Sequence, residues 1–60
     1  MNLFDFLTLI DKTTPYDVID TKTGREISVF QLFHTDFDGL LKMQVERVTS
    51  NGDRLIVFAR

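Results

Sequence analysis

The run Val45-Glu46-Arg47-Val48-Thr49-Ser50-Asn51-Gly52-Asp53-Arg54-Leu55-Ile56-Val57-Phe58 is a β-hairpin written around an Asn-Gly pair. Such a pair between two strands suits a two-residue type I′ turn, which needs positive φ at both central positions. The spacing then predicts a register in which Val48 faces Leu55, Glu46 faces Val57 and Val45 faces Phe58. The second strand constrains the fold most. Leu55, Ile56, Val57 and Phe58 follow one another without a polar interruption, and successive strand residues point to opposite sides of a sheet. One side therefore faces the domain's own core, and the other needs a second cover.

A chain of 60 residues is one domain, and a domain of this size buries only roughly 60% of the surface its unfolded chain exposes. Small domains gain margin from disulfides, metals or partners. With no cysteine in the sequence, disulfides and thiolate metal sites are excluded, and oligomerisation is the remedy still open. The expectation is a homo-oligomer, a two-fold dimer. In it the face carrying Val48, Leu55 and Val57 meets its symmetry mate, while Met43, Val45, Ile56 and Phe58 pack on the N-terminal helix. The two faces can also be exchanged in this scheme.

The rest of the chain reads as helix, hairpin, short helix, hairpin. Leu3, Phe6, Leu7 and Ile10 recur at helical spacing, with Asn2 as N-cap and Asp5 at the positive end of the helix dipole. Phe4 and Leu9 widen the apolar face. The helix is expected to stop near Lys12, because Thr14 precedes Pro15 and is pushed toward extended geometry. Tyr16 to Asp20 alternates as a short strand, Thr21 to Gly24 supplies a turn in which Gly24 takes positive φ, and Arg25 to Ile27 returns as the partner strand. Ser28 followed three residues later by Gln31 is a capping box that opens a short helix over Val29 to Phe33; the rival is a longer strand from Arg25 to Phe33, since Val29 and Phe30 favour β structure. His34 to Gly39 is turn-like, and Leu40 and Leu41 re-enter the core. The fold class is α+β: a small antiparallel sheet of about four strands in two hairpins, with an N-terminal helix and a short second helix.

Little in the chain resembles catalytic chemistry. Ser28 and Ser50 sit in a cap and a turn, His34 is the one histidine, and nothing brings them into a Ser-His-Asp arrangement. Gly24, Gly39 and Gly52 are isolated and form no phosphate-cradling loop. His34-Thr35-Asp36-Phe37-Asp38-Gly39 offers Asp36 and Asp38 at the third and fifth positions of a calcium loop, but His34 stands at the first and Val45 at the twelfth, where carboxylates belong. The reading is no catalytic residue, no cofactor, no metal and no enzyme.

Charge points to partners. The net charge of -2 argues against a protein built to coat nucleic acid. Asp5, Asp11, Asp17, Asp20, Glu26, Asp36 and Asp38 outweigh Lys12, Lys22 and Arg25 in residues 1–40, whereas Lys42, Arg47, Arg54 and Arg60 outweigh Glu46 and Asp53 in residues 41–60. Such a split suits recognition through opposite faces. Arg47, Arg54 and Arg60, together with Phe37 lying between two aspartates, are the candidate partner or ligand contacts. Leu3 to Ile10 lacks the basic leader and cleavage site of a signal peptide, and no segment approaches the roughly 18 apolar residues of a membrane span. The expected location is the cytoplasm, with no membrane partner.

The layout of Leu3-Phe4-Asp5-Phe6-Leu7, Tyr16-Asp17-Val18-Ile19-Asp20, Ser28 to Leu32 and Arg54-Leu55-Ile56-Val57 resembles small uncharacterised accessory proteins of bacteriophages and prophages. The resemblance covers most of the chain and rests on pattern, with no binding signature. It implies a protein made in a bacterial host cell that acts by binding, including binding that blocks a host defence system. Two other functions fit the residues: an oligomeric protein that sequesters a small phosphorylated ligand in an arginine-lined pocket, and a nucleic-acid accessory protein using the closing hairpin.

Overall fold

The computed structural model describes residues 1–28 and 37–60, with side chains from Gly39 onward in the second stretch. Helix α1 spans Leu3–Leu9, strands β1 and β2 span Tyr16–Asp20 and Arg25–Ile27, helix α2 spans Phe37–Leu41, and strands β3 and β4 span Val45–Asn51 and Arg54–Ala59. This is an α+β domain with one four-stranded sheet in the order β2-β1-β4-β3.

Local signals produce the N-terminal half as expected. Asn2 caps α1, its Oδ1 accepting from the Asp5 N–H at 2.8 Å. The helix ends at Leu9, short of Lys12, because Asp11 organises its own turn: its Oδ1 accepts from the Thr13 N–H and its carbonyl from Thr14. Strands β1 and β2 run over the expected residues. Gly24 takes φ +72° in the turn between them, where its N–H donates to the Asp20 carbonyl at 2.7 Å.

Three features differ from the sequence expectation. First, the sheet is mixed. β1 and β4 lie side by side in parallel, Val18 opposite Val57, while the two hairpins are antiparallel. Second, the β3–β4 turn sits one residue later than the Asn-Gly pair suggests. Asn51 pairs with Arg54, Gly52 is the one residue of this turn with positive φ, +66°, and no non-glycine among the described residues has one. Glycine at the first central position is the type II′ pattern. Val48 therefore faces Val57, and a bulge at Glu46 lets Val45 face Ala59. Third, residues 37–41, part of which reads as a turn, are helical. The helix or strand expected over Val29 to Phe33 lies outside the described residues.

The core lies between the helices and one face of the sheet. Leu3, Val18, Ile27, Val57 and Ala59 are buried, and Phe6, Leu7, Tyr16, Leu40, Leu41, Met43 and Val45 pack against them. The small Val57 and Ala59 let Leu3 settle on the sheet with no exposed surface. The Met1 carbonyl accepts from Val45 and the Leu3 N–H donates to Met43, fixing the start of α1 to the start of β3. Among the described residues no helix is long and apolar enough to cross a membrane.

Candidate functional site on the outer sheet face

Strand alternation sets two residue groups on the two faces. Val18, Val57 and Ala59 point toward α1, so Asp17 and Ile19 of β1, Glu26 of β2, Arg54, Ile56 and Phe58 of β4, and Arg47 and Thr49 of β3 point the other way. Both helices pack on the first group. Among the described residues no element lies over the second. Ile19, Ile56 and Phe58 form its centre, each half-buried.

The rows are read from the register. One runs Glu26, Ile19, Phe58, Arg47 across all four strands, and the next runs Asp17, Ile56, Thr49. The Arg47 guanidinium lies over the Phe58 ring, 4.4 Å from its centroid, a cation–π contact that screens the ring from water. Arg54 grips Asp17 with two parallel bonds, Nη2 to Oδ1 at 2.7 Å and Nε to Oδ2 at 3.0 Å. Guanidinium and carboxylate match in this fork geometry. The bond to Arg54 holds the Asp17 carboxyl below the usual carboxylate range, and Asp17 in turn raises Arg54.

The residues expected at an interface stay together in this arrangement, on the inner side of the sheet. Val48, Leu55 and Val57 do share a face, but it is the face under α1. Val57 is fully buried inside a single chain and Val48, at the sheet edge, is 38% exposed. A dimer interface containing Val57 is thereby corrected: covering one face with the helices uses the Val57 side, and the bulge turns Val45 to that side while Ile56 and Phe58 point away. Phe37 lies in α2, with its side chain outside the described residues.

The three arginines do not converge. Arg47 lies on Phe58 and Arg54 is held by Asp17. Arg60 stands beyond the end of β4, its backbone paired with Gln44 and its Nη1 3.9 Å from Glu46, whose other oxygen accepts from the Thr21 hydroxyl at 2.7 Å. Ile19, Asp17 and Glu26 are site residues the sequence reading did not single out. The alternation of Tyr16 to Asp20 about an inward Val18 carried the signal for the first two.

Elsewhere, an open depression of about 210 Å³ between the end of α1 and β1 is lined by Leu7, Ile10, Asp11, Lys12 and Tyr16, below the roughly 300 Å³ at which ligand pockets begin. Burial raises the Tyr16 phenol, so it stays neutral there. No group of three or more His, Asp or Glu side chains suited to a metal occurs among the described residues; the His34 to Asp38 side chains lie outside them. Comparison of the chain with protein-family models, curated proteins and solved structures finds no match.

Proposed function

We propose that the chain is a small non-enzymatic binding protein that associates with itself and acts by occupying a macromolecular partner. Its setting is the cytoplasm of a bacterial cell, as an accessory protein of the phage or prophage kind, and its partner class is a component of host defence. One observation carries the binding reading: the outer sheet face sets Ile19, Ile56 and Phe58 side by side with no covering element among the described residues. An apolar centre with a charged rim is the anatomy of an interaction surface. The phage setting is supported by the sequence resemblance alone.

Affinity capture from bacterial cells with the tagged protein and with its Ile56→Asp variant tests the reading. The expected result is a macromolecule recovered in near-stoichiometric amount with the parent and lost with the variant, both having the same circular dichroism and melting profile. Recovery unaffected by the substitution, or a small molecule released on denaturation with no macromolecular partner, would overturn it.

A further inference from the structure

The row Glu26, Ile19, Phe58, Arg47 is acidic at the β2 edge, apolar in the middle and basic at the β3 edge. We infer that the outer face is a weak two-fold interface with a second copy of this chain, its axis running along the strands, in which Arg47 of each copy meets Glu26 of the other. This rests on the reading of the outer face as the binding surface and names one partner for it.

Two face-to-face copies related by a two-fold have that axis in the plane between the sheets. If it runs along the strands, the strand order of one copy is reversed over the other. Glu26 then lies over Arg47, and Ile19 over Phe58 with the Arg47 guanidinium at its ring, twice each. If it runs across the strands, each strand lies over its own counterpart, bringing Glu26 against Glu26 and Arg47 against Arg47. Like charges in register oppose association. The charges therefore select the first axis.

Both end groups have charge to spare. Among the described residues Arg47 makes no ion pair, and its guanidinium carbon lies 4.4 Å from the Phe58 ring centroid. A guanidinium carries five N–H donors, so an arginine held over a ring still has donors for a carboxylate. Glu26 stands within reach of Asp17 and Arg54, but Asp17 occupies the Arg54 fork. Glu26 thus adds a second negative charge beside one arginine. Among the described residues of this face Asp17 and Glu26 balance Arg47 and Arg54, which suits a copy of itself better than a phosphate backbone.

The area fixes the strength. Four strands about 4.8 Å apart and averaging about 17 Å in length bury on the order of 600–900 Å² in total when two copies meet, short of the roughly 1,000 Å² of a stable interface. The dimer is accordingly concentration-dependent.

Sedimentation equilibrium from about 20 µM to about 1 mM provides the test, using the parent and the single variants Arg47→Glu and Glu26→Arg. Both positions are exposed, and equal melting temperatures establish that the variants fold. The parent's average mass should climb from one chain toward two, each variant alone should dissociate about tenfold more readily, and an equimolar mixture of the two variants should recover the association. Failure of the mixture to recover it, or unchanged association of either variant alone, overturns the inference and leaves self-association by another surface. A parent monomeric at every concentration that still captures a host protein through Ile56 also overturns it, and leaves the binding reading standing.

Discussion

Gly52 and Asp17 show how single residues set local behaviour. Gly52 holds φ +66° and a Cβ there would meet nothing within 4 Å beyond its chain neighbours, so the cost of replacing it is in the backbone. Gly52→Val should lower stability by about 1–3 kcal/mol, the scale of a residue forced into a sparsely populated region, read as the shift in the urea midpoint. Asn51→Ala should change stability by less than about 0.5 kcal/mol, because Asn51 does not carry the positive φ that a type I′ turn would ask of it. Equal losses at the two positions would contradict the type II′ turn. Asp17 makes a pH-dependent contribution whose sign follows from its partner. Arg54 stabilises the charged carboxylate and lowers its pKa in the folded chain, so the unfolded chain takes up the proton first as pH falls. The contribution is present at neutral pH, starts to fall as pH drops into the unfolded carboxyl's range near roughly 4, and is gone once pH has passed below the lowered folded value. Asp17→Asn should therefore flatten the acid limb of melting temperature against pH, and an identical limb in the variant would show the pair to be without effect.

At the scale of the element, α1 is held by its cap and by the sheet residues beneath it. Asn2→Ala removes the side-chain acceptor for the Asp5 N–H while leaving the Asn2 backbone, and should cost about 1 kcal/mol in thermal unfolding. The two faces of β4 give a sharper contrast. Val57 is buried in the single chain, and Val57→Glu places a charge in a core whose described members are apolar. A 60-residue domain holds only about 3–9 kcal/mol, and an unpaired buried charge consumes most of it. That variant should be unfolded by circular dichroism, whereas Ile56→Glu, one residue away on the outer face, should fold. A folded Val57→Glu would mean that the faces are exchanged. The sequence made some elements legible and others not. The β1–β2 hairpin follows from neighbours: alternation about Val18, the Thr21 to Gly24 turn, and Ile27 returning to face Val18. The facing of β4 follows from contacts made far along the chain. Four apolar residues in a row carry no preference for a side, and the bulge at Glu46, which turns Val45 toward Ala59, has no local signature in Val45-Glu46-Arg47. Helix α2 escaped for a related reason: Asp38-Gly39 is turn chemistry, while Leu40 and Leu41 pack against the core and outweigh it.

At the scale of the whole molecule, the central fact is that β1 and β4 pair in parallel. Val18 and Val57 meet across 39 positions of sequence, so each hairpin forms locally and the sheet closes only when the two are joined. Local signals describe the hairpins, and the join depends on both having the Val18 and Val57 sides beneath α1. Hydrogen exchange should report this hierarchy, since amides open according to how much structure must be lost to free them. Backbone amides of β1 and β4, each flanked by strands on both sides, should exchange only through global unfolding. Those of β2, a three-residue edge strand, should exchange earlier by local opening. Pairing on both sides is independent of protein concentration, whereas cover of the outer face by a second copy is not. Protection of β1 and β4 should thus rise further between dilute and near-millimolar protein, while that of the Thr21 to Gly24 turn stays constant. A β2 as slow as β4 at every concentration would contradict the edge position of β2, and protection of β4 that does not respond to concentration would contradict association through Ile19, Ile56 and Phe58.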